Sequence, residues 1–247
     1  MLLSVMMLAL QGQAQVVDSA EWVVDRHVSL MNMAMLPKDS MLFVVTCQID
    51  RDNPTDTIMT YRWEANRNRR RVEVWQGRRL DTGYILNGKD HSRYFDTIRN
   101  VWRTVQESML WDNYVAYEFK GPLYYRKSNG AQLRYMGEKT FNGHPIYAVQ
   151  IDMPQSFKRE YYFEKESGVL FMFKEFDEVV TDSVRPEYKV DWYAYHEYEP
   201  LGMCLYPKTA SCQNNGHVYI IINQAEIMPI DDRVFDQNQA PKEYTNR

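Results

Sequence analysis

Apolar residues in the first long polar-apolar stretch recur at every second position: Met41, Phe43, Val45, Cys47 and Ile49. That two-residue period is the mark of a strand with one greasy face. Met59, Tyr61 and Trp63 repeat it, as do Val72 and Val74. Further along, Tyr147, Val149 and Ile151, then Tyr161 and Phe163, alternate with Gln150, Asp152, Glu160 and Glu164. Strands are also expected through Trp192, Tyr193 and Tyr195, through Leu205-Tyr206-Pro207, and around Val218 to Ile227. Asn-Gly pairs occur at 87–88, 129–130, 142–143 and 215–216, each between segments of strand character. This dipeptide supplies the positive φ angles of tight hairpin turns, so an antiparallel meander is predicted. Two stretches break the pattern. Asp18-Ser19 can cap a helix carrying Trp22, Val23, Val24, Val28, Leu30 and Met31 and ending before Pro37. The span Val101 to Phe119 reads as one or two short helices stopped at Gly121-Pro122.

Composition strengthens the β reading. Aromatics make up 14% of the 247 residues, with 18 Tyr and 6 Trp, and flat rings suit a pleated surface. No charged or Gly/Ser linker interrupts the interior, so residues 15–247 are expected to form a single domain, with a polar, frayed tail from Gln237. A net charge of -4 excludes nucleic acid, which needs an extended basic face. Residues 1–14 read as a secretory signal: Met1 to Leu10 are almost wholly apolar and Gly12-Gln13-Ala14 is a small-x-small cleavage site. The apolar run is shorter than the roughly 20 residues that span a bilayer. The three Cys, at 47, 204 and 212, cannot form a disulfide framework. Cys204 and Cys212 fall on one extended segment about 26 Å apart, beyond bridging distance, and Cys47 reads as a core residue.

No pattern in the chain announces catalysis. There is no G-x-S-x-G elbow, phosphate loop or H-E-x-x-H, and the five His at 27, 91, 144, 196 and 217 are scattered. In His196-Glu197-Tyr198-Glu199 strand parity points the imidazole away from both carboxylates. Asp231-Asp232 reads as a local cap. No catalytic residue, cofactor or metal is expected, and the chain is not read as an enzyme. Arg67, Arg69, Arg70 and Arg71 form one concentrated basic run, a solvated loop or a docking patch for an acidic partner.

The order of these features resembles the LolA-like outer-membrane lipoprotein carriers. The likeness begins with the signal and opening helix and continues through Arg67-x-Arg69-x-x-Val72-Glu73, Thr82-Gly83-Tyr84-Ile85-Leu86-Asn87-Gly88-Lys89 and Gly121-Pro122-Leu123. It is most specific in Gly137-Glu138-Lys139-Thr140-Phe141-Asn142-Gly143-His144-Pro145-Ile146-Tyr147, followed by Tyr161-Tyr162-Phe163-Glu164-x-x-Ser167-Gly168-Val169-Leu170. Gly202-x-x-Leu205-Tyr206-Pro207 and Pro229-Ile230-Asp231-Asp232-x-Val234-Phe235 resemble the family's closing signals. Glu164 and Ser167 depart from its usual Asp and Thr. The resemblance implies a mainly β fold, an incomplete antiparallel β-barrel wrapped around short helices. It also implies an apolar cavity that carries acyl chains of lipoproteins, or another amphipathic lipid, across the periplasm. The carrier would be a monomer working between an inner-membrane release complex and an outer-membrane acceptor. A lipid-sensing or protein-interaction module on the same scaffold is the alternative. Strand parity nominates Phe43, Val45, Tyr61, Trp63, Val72, Val74, Tyr147, Val149, Ile151, Tyr161 and Phe163 for the concave face.

Overall fold

The computed structural model describes residues 19–32, 37, 39–66, 69–87, 92–105, 121–128, 130–152, 158–179, 187–214 and 216–236. Among them the chain opens with helix α1 (Ala20–Met31). Ser19, in extended conformation, accepts a hydrogen bond from the Trp22 amide at 3.1 Å and so satisfies one of the orphan donors of the first turn. Asn32 ends the helix in the left-handed region, a conformation Asn tolerates better than most residues. Both boundaries agree with the sequence expectation.

Six strands follow: β1 (Ser40–Asp50), β2 (Thr57–Asn66), β3 (Arg69–Gln76), β4 (Arg79–Asn87), β5 (Arg93–Asp96) and β6 (Val101–Thr104). A short helix, α2 (Gly121–Tyr125), precedes seven more. These are β7 (Gln132–Phe141), β8 (His144–Asp152), β9 (Lys158–Glu164), β10 (Leu170–Val179), β11 (Glu187–Leu201), β12 (Cys204–Asn214) and β13 (His217–Pro229). A 3-10 turn, Asp232–Phe235, closes the described chain. All described strands belong to one thirteen-stranded sheet in the order β6-β5-β4-β3-β2-β1-β13-β12-β11-β10-β9-β8-β7. Every pairing is antiparallel. Two meanders, β1 to β6 and β7 to β13, are thus stitched together along β1 and β13. The sheet does not close, since β6 and β7 are its two edges. The architecture is the incomplete antiparallel barrel expected from the resemblance.

The turn chemistry is met in part. Asn142 and Gly143, with φ of 48° and 83°, form the two-residue turn between β7 and β8, both in the region an Asn-Gly pair supplies. Gly130 instead follows α2 and leads into β7, so that pair makes no hairpin. Two tight hairpins are built on other sequences, Gly77-Arg78 and Gly202-Met203, where glycine takes the positive φ. The helices expected over Val101 to Phe119 are corrected at the start, because Val101–Thr104 pairs with β5 as a strand. Residues 106–120 lie outside the described residues, as do Gly88, Asn129, Asn215, the signal segment and the tail from Gln237. α2 begins at Gly121-Pro122, where the sequence reading placed a stop; proline is tolerated in a first helical turn.

Candidate functional site

Strand register assigns every side chain to one of two faces. On one, Val149, Tyr161, Phe173, Tyr193, Cys212 and Tyr219 lie side by side across β8, β9, β10, β11, β12 and β13. Six residues along β13, Ala225 keeps the same parity and heads a second row: Val44, Arg62, Val72 and Tyr84. Helix α1 rests on this face, with Trp22 edge-on to Tyr147 at 6.0 Å and His27 against Phe163 at 5.2 Å. We call it the inner face.

Over β8 to β10 the inner face is solid core. Ala20, Val23 and Val24 of α1 bury Tyr147, Val149, Ile151, Tyr161, Phe163, Leu170 and Phe173. Polar clamps on turn backbone fix the helix there. Arg26 donates to the Lys165 carbonyl at 2.9 Å and to that of Glu166. His27 Nδ1 lies 3.3 Å from the Gly168 carbonyl, and because that carbonyl can only accept, Nδ1 carries the proton. Burial holds the His27 pKa down to about 4. Gly168 has φ of +79°, and a Cβ there would sit 2.9 Å from Arg26 Nε, so the turn needs glycine twice over. At the other end Asn32 donates to the Met203 carbonyl at 2.8 Å and its own carbonyl accepts from Cys204 Sγ. Arg126 ties α1 to α2, donating to Glu21 and Asp25 and to the Leu123 carbonyl.

Farther along the same face, smaller buried apolar groups are bordered by half-buried ones and interspersed with charged residues. Tyr193, Tyr195 and Tyr219 border a buried group of Ala210, Cys212 and Ile221, and all three are half-buried. Ala225 and Ile227 border Leu42, Val44 and Tyr206 in the same way, and Val74 borders Val72, Tyr84 and Leu86. Charged groups on this face are paired. Arg70 faces Glu64 at 3.5 Å, Arg62 donates to the Tyr206 hydroxyl at 2.8 Å, Arg159 meets Glu175 at 2.8 Å, and Lys189 meets Asp191 at 2.9 Å. Burial raises the pKa of the Tyr161, Tyr195, Tyr198 and Tyr206 phenols and pushes the Cys212 thiol up to about 11, so all stay neutral.

Seven of the eleven residues nominated from parity share the inner face: Val72, Val74, Tyr147, Val149, Ile151, Tyr161 and Phe163. Phe43, Val45, Tyr61 and Trp63 do not. They point to the outer face, where Val45 pairs with Tyr61 and Tyr61 with Glu73, while Phe43 pairs with Trp63 and Trp63 with Arg71. There the C-terminal 3-10 turn covers them through Phe235, which is 1% exposed. Alternation does not separate the two sets, because period two gives parity within a strand and not the side of the sheet it faces. The basic run is also not a surface patch. Arg70 and Arg71 are buried on opposite faces; Arg71 donates to Glu73 at 2.6 Å and to the Val234 carbonyl at 3.0 Å. Arg69 pairs with Asp232 at 2.6 Å, and Arg67 lies outside the described residues. Leu42, Val44, Tyr84, Leu86, Ile221 and Ile227 are inner-face residues that alternation did not nominate. For Leu42 and Val44 the signal is the uninterrupted apolar run Met41 to Val45, the mark of a strand covered on both sides. Among the described residues no group of three or more His, Cys, Asp or Glu could hold a metal. Nor is any helix among them long and apolar enough to cross a membrane.

No protein-family model and no curated protein matches the chain. Solved structures do. A LolA superfamily protein from Nitrosomonas europaea is 11% identical, with 88% of this chain and 97% of that one covered and a TM-score of 0.58. A DUF1329 family protein from Desulfovibrio piger is 11% identical over 87% of this chain and 96% of that one, with a TM-score of 0.54. An outer membrane lipoprotein-sorting domain from Vibrio parahaemolyticus is 7% identical over 87% and 98%, with a TM-score of 0.54. At these identities the likeness establishes the fold, and the chain has a LolA-like fold.

Proposed function

We propose that this chain is a periplasmic carrier that holds acyl chains, of lipoproteins or of another amphipathic lipid, against the inner face of its sheet. On this reading residues 1–14 are removed on export and residues 15–247 act as one lipid-binding unit, a monomer without cofactor or catalytic role. The observation that carries the reading is that apolar inner-face residues bordering the buried clusters are themselves only half-buried. Val74, Tyr193, Tyr195, Tyr219, Ala225 and Ile227 remain half-buried there. Such a surface gains from an acyl chain about 0.8 kcal/mol per buried methylene, less the cost of ordering the chain. Of the residues nominated from sequence, Val74 is one of these half-buried residues and Val72 is buried beside it. Tyr147, Val149, Ile151, Tyr161 and Phe163 form the packed end against which a chain would abut. The fold shared with a lipoprotein-sorting domain is consistent with the same role.

For the alternative, a sensing or interaction module, two of the four arginines expected to form its docking patch, Arg70 and Arg71, are interior. The test is direct. The full chain is expressed in a diderm bacterium and recovered from its periplasm, and an organic extract is analysed by mass spectrometry. Acyl lipid in near-stoichiometric amount is the expected result. An empty extract, together with failure to bind long-chain lipids in solution, would count decisively against transport.

A further inference from the structure

Three tyrosine hydroxyls in this sheet show the usual pairing. Tyr198 donates to the Leu170 carbonyl at 2.8 Å, Tyr206 accepts from Arg62 at 2.8 Å, and Tyr162 on the outer face donates to Glu160 at 2.6 Å. Tyr161 differs from these three: it is 2% exposed, yet its hydroxyl proton meets no acceptor. The ring cannot swing out to find one. Val149 and Phe173 flank it in register, and Phe163 and Phe173 lie 6.4 and 5.6 Å from its centroid. Its polar neighbour, Arg159, interacts with the hydroxyl as a donor, and having donors alone it cannot take the proton. Arg159 is itself held by Glu175 and lies over the Phe173 ring at 4.7 Å. Because burial raises the phenol's pKa, the O–H remains a donor at neutral pH. A buried donor left unmade is costly, and such groups in native proteins call for a reason.

The position supplies one. One step along the strands, on the same face, stand Arg159, Glu175 and Asp191. Across the sheet from Tyr161 the row runs through Phe173 to half-buried Tyr193. Tyr161 therefore stands between an apolar row and a charged row of the inner face. We propose that Tyr161 donates a hydrogen bond to the carbonyl oxygen of a bound acyl chain, whose tail runs over Tyr193 and Tyr195 and whose polar end meets the charged row. This inference rests on the acyl-binding reading above and adds the recognised group, an acyl carbonyl, whether of a free fatty acid or of an ester.

The test uses the full chain and three ligands: hexadecanoate, its methyl ester and hexadecane. Affinities are read by displacement of the hydrocarbon fluorophore diphenylhexatriene. Tyr161→Phe is expected to weaken a carbonyl ligand about tenfold, or about 1.4 kcal/mol. Hexadecane and the fluorophore should bind as before, and the empty variant should melt at a higher temperature than the parent, since an unpaired hydroxyl has been removed from the interior. A loss shared by acid and ester assigns the carbonyl common to both; a loss for the acid alone assigns a carboxylate. Unchanged binding of both carbonyl ligands overturns the role of Tyr161 while leaving acyl binding intact. If the parent binds neither fluorophore nor ligand, the carrier reading itself falls.

Discussion

The sheet is sealed at two places, on opposite faces and by unlike means. At the C-terminal meander, α1 lays an apolar stripe on the inner face and is fastened to turn backbone by Arg26, His27 and Asn32. At the N-terminal meander, four residues of 3-10 turn cover the outer face with one phenyl ring, and charge does the rest. Arg71 is held by Glu73 and Val234, and Arg69 lies over the Phe235 ring at 4.7 Å. The contrast lies in what each cover is made of, an apolar helix on one face and a charged turn on the other. A helix-wide plug turns the inner face of β8 to β10 into core, whereas the outer cover leaves the inner side of β1 to β3 without any contact from the 3-10 turn.

Four substitutions would sharpen that contrast. Phe163→Ala removes a ring that is fully buried beneath α1 and should cost about 4 kcal/mol in denaturant unfolding. Glu73→Ala leaves Arg71 charged and uncompensated under the 3-10 turn and should cost about 3 kcal/mol by the same measurement, being 0% exposed. His27 makes the helix-covered end sensitive to pH. Its folded pKa of about 4 lies below the ordinary 6.5, so the unfolded chain takes up the proton first as pH falls. Its contribution is whole above pH 6.5 and is lost on the way down to pH 4, about 3 kcal/mol in all. Melting temperatures measured from pH 7.5 to 4 should therefore fall less steeply in His27→Phe than in the parent. Smallest of the four, Ser19→Ala deletes the helix cap and should cost about 1 kcal/mol, seen as earlier amide exchange in the first turn of α1.

Much of the architecture could be read from the chain because its signals are local. A two-residue period marks strands, Ser19 marks a helix start, and Asn142-Gly143 marks a hairpin. What could not be read is non-local. Met41-Leu42-Phe43-Val44-Val45 is apolar at every position because both sides of β1 are covered, so alternation there carries no direction. Tyr61 and Trp63 looked like cavity wall, and only the return of the chain at Val234 and Phe235 makes them core. Arg70 and Arg71 looked like surface because their partners, Glu64 across β2 and Glu73 two positions on, matter only once the strand is buried. Val101–Thr104 reads as helix from sequence because its pairing with β5 crosses a turn without an Asn-Gly signal.

Strand β13 offers the most direct trial of the central claim, since Ile221 and Ile227 point inward while Ile220 and Ile222 point outward and are 46% and 39% exposed. A fatty acid carrying a diazirine along its chain would be bound to the full protein, irradiated, and its adducts mapped by mass spectrometry. The account predicts adducts at Ile221, Ile227, Tyr193 and Tyr195. Adducts confined to Ile220 and Ile222 would contradict it, because the lipid would then be lying on the wrong side of the sheet.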